Sequence, residues 1–324
     1  MMSPFVSFLA RRVLFALLLV LVVSSGTMWL AHLAPGDYAT QLRGPGVSAE
    51  TLARERERLG LDRSLAEQYR DWLVGLARFD LGTSYRFARP VKDLVGERAG
   101  NTAVLAGTAL LIATGVGLPL GVIAGSSSAS VLVSTIRGVS VFGLSLPPLL
   151  TSILFALFAA RTGWFPIGGM TSVRAVDPSL PARLLDIGWH LVLPSLALAL
   201  PIAATLERLL ARSMRETLDE PFILAALARG IPRRRVVWRH ALRVAIRPVA
   251  GIYGVIVGSL LSGSFAVEIV TSWPGLGGLM FEALKSRDVQ LVAGCAAIGS
   301  VFLACGNLMS DLGLAIADPR LREE

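Results

Sequence analysis

Six apolar stretches, at residues 13–33, 101–125, 131–160, 190–212, 248–270 and 290–316, alternate with polar, arginine-rich segments along the chain. Each stretch reaches or exceeds the roughly 20 apolar residues that an α-helix needs to cross a bilayer. The pattern therefore predicts six spanning helices. Between Pro35 and Gly100 lies no long apolar run, but eleven basic and ten acidic residues. That segment is expected outside the hydrocarbon. A cleaved signal peptide is the competing reading of the first stretch. Its 21 residues exceed a signal peptide's apolar region, and no A-x-A-like site follows.

Basic residues orient the spans. Arg11 and Arg12, ten arginines between Arg208 and Arg247, and Arg320 and Arg322 fall on one side of a six-span arrangement. The long loop on the other side is nearly charge-balanced. Cytoplasmic loops carry the excess of Arg and Lys, and long loops cross largely regardless of charge. Both termini are thus expected in the cytoplasm, with residues 35–100 outside.

Composition agrees with the pattern. Of 324 residues, 53% are hydrophobic and only 17% charged, with a mean hydropathy of +0.63. A water-soluble globule and a disordered chain are both excluded. The net charge of +8 reads as basic membrane faces in contact with lipid, not as a nucleic-acid footprint. Cys295 and Cys305 lie ten residues apart in the last apolar run, about 15 Å along a helix, too far to bridge. Both read as small buried hydrophobes.

Within the spans, Gly115, Gly117, Pro119 and Gly121 mark the second, and Pro147 and Pro148 beside Ser145 mark the third. Glycine admits close helix approach and proline kinks a helix, so both suit a bundle moving around a cavity as well as ordinary packing.

Residues 213–247 carry the most local information. Asp219 and Glu220 before Pro221 make a helix start, and a short apolar helix from Phe222 to Arg229 is expected to stop at Gly230, with Pro232 behind it. A second helix follows, with Arg235, Arg239, Arg243 and Arg247 at a spacing of four and Val237, Ala241 and Val244 on another face. Lipid headgroup contact explains the arginines. It does not explain a compact apolar helix between them, which suits a groove on a cytoplasmic partner.

Three rival chemistries would each need residues in a particular arrangement. A P-loop needs a lysine in G-x-x-x-x-G-K-[ST], and the two lysines, Lys92 and Lys285, lack that glycine framework. Any ATP must be hydrolysed by another polypeptide. An intramembrane enzyme would need convergent groups, whereas His32, His190 and His240 are dispersed. Serines 145, 259, 262 and 264 lack a histidine partner and read as interhelical donors or cavity lining. An ion-coupled secondary transporter needs a midspan acid. Its candidates, Glu268 and Asp311, stand towards span ends, where solvation or an arginine accounts for them, as does Arg137.

The segment Ala225-Ala226-x-x-x-Gly230, then Ile231-Pro232-Arg233-Arg234-Arg235 and His240-Ala241-Leu242-Arg243, resembles the EAA loop of binding-protein-dependent ABC importer permeases. The group it resembles is the dipeptide/oligopeptide/nickel one. The ordered matches run along nearly the whole chain: Arg11-Arg12, His32 to Asp37, Leu59 to Asp62 with Gln68-Tyr69, Asp80 to Tyr85, Gly163 to Pro166, Ser272 to Gly277, and Asp311 to Arg320. The likeness is to the subunit with a large insert after helix one. Leu224 and Leu227 depart from it, standing where the wider motif carries a charge and where this group often has arginine.

The resemblance implies an all-α type I importer fold. Its parts would be an N-terminal helix (1–34), an extracytoplasmic insert (35–100), a five-helix core (101–317) with a coupling loop (213–247), and a cytoplasmic tail (318–324). It implies that Phe222, Ala225, Ala226, Gly230, Pro232, Arg233 and Arg235 contact two cytoplasmic P-loop ATPases that use ATP and Mg. It implies, too, a second homologous permease, an extracytoplasmic binding protein, and no cofactor, metal or catalytic residue in this chain. Di- or oligopeptides are the expected cargo, with nickel or another small solute as the alternative. Gly230→Pro and Ala226→Glu are both expected to uncouple transport while leaving insertion intact.

Overall fold

The computed structural model describes residues 4–42, 48–127, 130–172 and 179–317. The expected tail at 318–324 lies outside the described residues, as do the side chains of Asp311 and Ser262. Helices dominate. Among the described residues there is no strand, only one antiparallel bridge between Thr83 and Pro90. Two compact units emerge, one from residues 1–102 and 274–304, the other from residues 103–273 and 305–324.

The first unit holds α1 (Pro4–Leu33), α2 (Tyr38–Gln41), α3 (Ala49–Arg58), α4 (Leu65–Ala77) and the start of α5 (Val91–Ser126). Short helices need their orphan N–H groups satisfied by side chains. Asp37 and Thr40 form a reciprocal box on α2, Ser48 caps α3, and Ser64 and Glu67 form a box on α4. Donation by the Ser64 hydroxyl and N–H holds the Glu67 carboxyl below its usual range. Arg56 ties α3 back to Asp37 at 2.8 Å. Trp72 of α4 packs with Met28 of α1, and the Tyr69 hydroxyl donates to Ser25 Oγ at 2.9 Å. So α4 lies against α1.

A buried carboxylate fastens the segment that leads into α5. Asp288 is 0% exposed, immediately before the last helix. It accepts from Ser84 Oγ at 2.5 Å, Arg86 N at 3.1 Å and Leu291 N at 3.1 Å. Asp288→Ala strands three donors, and hydrogen bonds to a charged acceptor are the strong ones. We expect a loss of about 3 kcal/mol in stability, read as a lowered unfolding temperature of the detergent-solubilised protein. An unchanged unfolding temperature would remove Asp288 as the fastener.

The second unit is built from the rest of α5, then α6 (Val131–Ser145), α7 (Pro148–Thr162), α8 (Leu180–Leu218), α9 (Pro221–Ala228), α10 (Arg233–Arg235), a π-helical turn (Val236–Ala241), α11 (Leu242–Ala245), α12 (Arg247–Gly251) and α13 (Tyr253–Val270). In the first unit, α14 (Leu276–Ser286) and most of α15 (Val289–Ala317) complete the chain. Glycine sets the closest approach. A Cβ at Gly117, Gly121 or Gly125 of α5 would stand 2.6, 2.9 or 2.7 Å from the carbonyl oxygens of Ala203, Glu207 and Ala211 in α8. Two residue rows at a spacing of four thus face each other, the small-xxx-small arrangement of membrane helices.

Five helices among the described residues are long and apolar enough to cross a membrane, or six if one bent pair counts as a span. Here the third expected span is corrected. It is not one helix over 131–160 but α6 and α7, meeting at 101°. Leu146 is extended (φ −99°, ψ 110°), as a residue before proline tends to be, and Pro147 caps α7. The spans also start elsewhere than the apolar runs did. α5 begins at Val91, α8 runs from Leu180 to Leu218, and the fifth span begins at Tyr253 because Ile252 interrupts the helix after Pro248. Cys295 is buried as expected, but Cys305 is exposed.

Candidate functional site

The segment from Asp219 to Gly251 forms where the sequence places local stop and start signals. Glu220 sits extended at the N-cap of α9, and Pro221 occupies the first turn, where its missing N–H costs nothing. The other end is a Schellman turn. Gly230 adopts φ +77°, its N–H donates to Leu227 O at 2.9 Å, and Ile231 N donates to Ala226 O at 3.3 Å. A Cβ at Gly230 would meet nothing within 4 Å, so only backbone strain opposes substitution. We expect Gly230→Ala to cost about 1–2 kcal/mol locally and Gly230→Pro considerably more, since proline fixes φ near −65°. Limited proteolysis at 228–232 would report both; equal resistance of the two variants would contradict this ordering.

α9 is apolar all round, and the structure divides it. Ile223 and Ala226 point inward, into the cluster that holds Leu210 and Met214 of α8 and Val236, Val237 and Ala241 of the π turn. Phe222, Leu224, Ala225 and Leu227 are exposed, Leu224 at 58%. A row of large apolar side chains open on a short helix, started by Pro221 and closed by the Gly230 turn, is the shape of a plug for a partner's groove. Of the residues expected to make partner contacts, Phe222, Ala225, Gly230, Pro232, Arg233 and Arg235 are exposed. Ala226, 4% exposed, is instead part of the seat. Leu224 and Leu227, read from sequence as departures, stand on the outward face.

The second helix departs from its expected form. Residues 236–241 are wound as a π turn, so the four-residue arginine spacing is not carried by one α-helix. The partition of faces survives: Arg235, Arg239 and Arg243 are exposed, Val237 and Ala241 buried, and Arg247 half-buried. The wider turn brings Val236 and Val237 inward together and leaves Trp238 exposed. Arg233 donates to Ser126 O at 3.2 Å, tying the loop to the end of α5.

Residues 117–323 match the family of binding-protein-dependent transport system inner membrane components, and residues 5–106 match the N-terminal part of such membrane components. The chain belongs to that family. It is 31% identical over 317 residues to the oligopeptide transport system permease protein AppB of Bacillus subtilis, covering 97% of this chain and 99% of that one. It is 35% identical over 316 residues to a putative peptide transport system permease protein of Brucella abortus, covering 96% of this chain and 98% of that one. With the dipeptide transport system permease protein DppB of Escherichia coli it shares 31% identity over 316 residues, covering 92% and 93%. The helical architecture is that of a type I ABC permease, and the protein is a multi-pass inner-membrane permease of an ABC transporter.

In this permease the polar groups inside the spans differ from the sequence reading. Ser145, Ser259 and Ser264 donate to Val141 O, Ile256 O and Leu261 O, one turn back in their own helices, so these hydroxyls are not the expected interhelical donors. Glu268 is buried, so solvation does not account for it. His32 meets Met28 O and Gln68 Oε1, and His190 Nδ1 lies 2.8 Å from Asp186 O. Among the described residues no cluster of three or more His, Cys, Asp or Glu could hold a metal.

One acid escaped the sequence reading. Glu207 of α8 is 1% exposed, and its Oε2 has no hydrogen-bond partner. It lines a cavity with Arg137, Arg208, Arg212 and Arg215. An acid inside the 190–212 apolar run was the signal, masked by the adjacent Arg208.

Proposed function

We propose that this permease forms half of the translocation pathway of an ATP-driven importer of di- or oligopeptides. An extracytoplasmic binding protein delivers the peptide, a second homologous permease completes the pathway, and two cytoplasmic P-loop subunits hydrolyse ATP with Mg. The chain itself binds no cofactor and performs no bond chemistry. Its N- and C-termini lie in the cytoplasm and residues 35–100 outside, a reading that the arginine distribution supports.

The observation that carries the coupling role is the divided α9. Its inner residues are locked into the helix core, and its outer residues are free for a partner. Movement of an ATPase groove holding Phe222 and Leu224 would pass directly into α8, which ends at Leu218, and through the π turn towards α13. A helix so short, rooted at both ends, transmits displacement as a rigid peg. The peptide assignment rests on the names of relatives aligned over nearly the full chain, which favour peptides over nickel.

The test is uptake. Cells lacking the chain should lose import of labelled di- or oligopeptides, and the restored chain should return it only with the binding protein and ATP present. Peptide uptake unaffected by deletion, with nickel uptake lost, would overturn the cargo assignment while leaving the permease role in place.

A further inference from the structure

Within the second unit, Glu207 lines a cavity of about 760 Å³ together with Arg137 of α6 and Arg208, Arg212 and Arg215 of α8. Its carboxylate is buried and its Oε2 has no hydrogen-bond partner. Among the described residues no ion pair joins Glu207 to any of these arginines. Arg212 pairs with Glu216 at 2.9 Å, and Arg137, Arg208 and Arg215 have no carboxylate partner among the described residues. Acid and bases thus stand apart, as two poles of one cavity. The acid's backbone is fixed against α5, where a Cβ at Gly121 would stand 2.9 Å from Glu207 O. A buried carboxylate without a partner is costly, so this one calls for a cationic group from outside the chain.

The two poles are ordered along the helices. Gly143 of α6 faces Ala204 of α8, and Val133 and Ile136 cluster with Ala211, so the helices run antiparallel and Arg137 stands near the level of Arg208. Beyond Glu207, Arg208, Arg212 and Arg215 follow towards the Leu218 end of α8, the end that the arginine distribution places in the cytoplasm. The carboxylate is therefore the membrane-ward floor and the guanidiniums the cytoplasmic rim.

We propose that this cavity is a cargo subsite that takes both termini of a short peptide, the ammonium on Glu207 and the carboxylate on Arg208 and Arg215. The dimensions agree. Arg212 and Arg215 lie about 7.5 and 12 Å beyond Glu207 along the helix axis. Extended di- and tripeptides span about 7 and 11 Å. A phosphate would satisfy the arginines and leave the acid unpaired, and a divalent cation would find one carboxylate among guanidiniums. A phosphatidylethanolamine headgroup carries both charges in the reverse order, its phosphate nearer the membrane core than its ammonium. The proposal rests on the peptide reading of the cargo and deepens it with a site on this chain.

The test blocks the peptide's termini one at a time. The tagged chain with its co-purifying subunits, washed free of binding protein, would be titrated with labelled alanylalanine and with its N-acetyl and C-amide forms. Each blocked form should bind the wild type roughly tenfold more weakly than the free dipeptide. Glu207→Gln should bind the free dipeptide roughly tenfold more weakly, become indifferent to N-acetylation and stay sensitive to amidation. The double variant Arg208→Gln, Arg215→Gln should show the reverse pattern, which a merely structural defect would not produce. An N-acetylation effect that persists in Glu207→Gln would overturn the subsite. Equal binding of free and N-acetylated dipeptide by the wild type would overturn it without any variant. Uptake in cells separates the two readings. If dipeptide import needs the chain but these differences are absent, the subsite falls and the cargo reading stands. If import does not need the chain, both fall.

Discussion

Gly117→Leu is expected to prevent the second unit from folding, while Gly115→Leu, two residues away, is expected to be silent. The difference comes from what each glycine faces. A Cβ at Gly117 stands 2.6 Å from Ala203 O and 3.1 Å from Ala203 Cα, both backbone atoms that cannot rotate away. At Gly115 a Cβ meets nothing within 4 Å. Overpacking a tight seam costs about 1–3 kcal/mol when side chains can adjust, and more when the obstacle is backbone. The two variants should separate in size-exclusion profile and thermal unfolding. Gly117→Leu should be largely aggregated, and Gly115→Leu should match the wild type. Similar behaviour of the pair would mean that α5 and α8 do not meet at this seam.

The second large effect falls on α9. Leu224→Asp changes an exposed side chain, so stability should stay within about 0.5 kcal/mol of wild type. Docking should suffer far more, because a charge on the central apolar contact of a short peg removes a hot spot. We expect roughly thirtyfold weaker ATPase association, with ATP-dependent uptake lost. Ala226→Glu, which the sequence suggested as an equivalent test, is now expected to fail differently. Ala226 is packed on the inner face of α9, so a carboxylate there costs about 3 kcal/mol or more and unseats the loop. Protease sensitivity of 219–247 should rise for Ala226→Glu and not for Leu224→Asp.

These two variants show where sequence reasoning reaches and where it stops. The ends of α9 were legible because Pro221 and the Gly230-x-Pro232 stop are local signals, each tied to one backbone conformation. Which side of α9 faces inward was not legible. A helix whose residues 222–228 are all apolar has no contrast from which to read a buried face, so Ala226 was grouped with its exposed neighbours.

The same limit applies to the bundle. Residues 131–160 read as one span because apolar composition is blind to direction, yet the Leu146-Pro147 break turns the chain by 101°. The π turn at 236–241 was hidden because i→i+5 winding answers to the packing of Val236 and Val237 and not to a local motif. Gly115, Gly117 and Gly121 announced close approach, but which of them sit at the seam, the addition of Gly125 and the partner row on α8 required the tertiary structure. Glu207 needed it as well, since a carboxylate beside an arginine in sequence gives no sign of being buried.

The most direct test of the central claim, that this permease works through a docked ATPase, is affinity purification of the tagged chain from its native membrane. Co-purifying proteins would be identified by mass spectrometry, with wild type and Leu224→Asp compared. The expected result is recovery of a P-loop ATPase and a second permease with the wild type, and selective loss of the ATPase from Leu224→Asp. Recovery of the chain alone, active in uptake without ATP, would contradict the account, as would equal ATPase recovery from both chains.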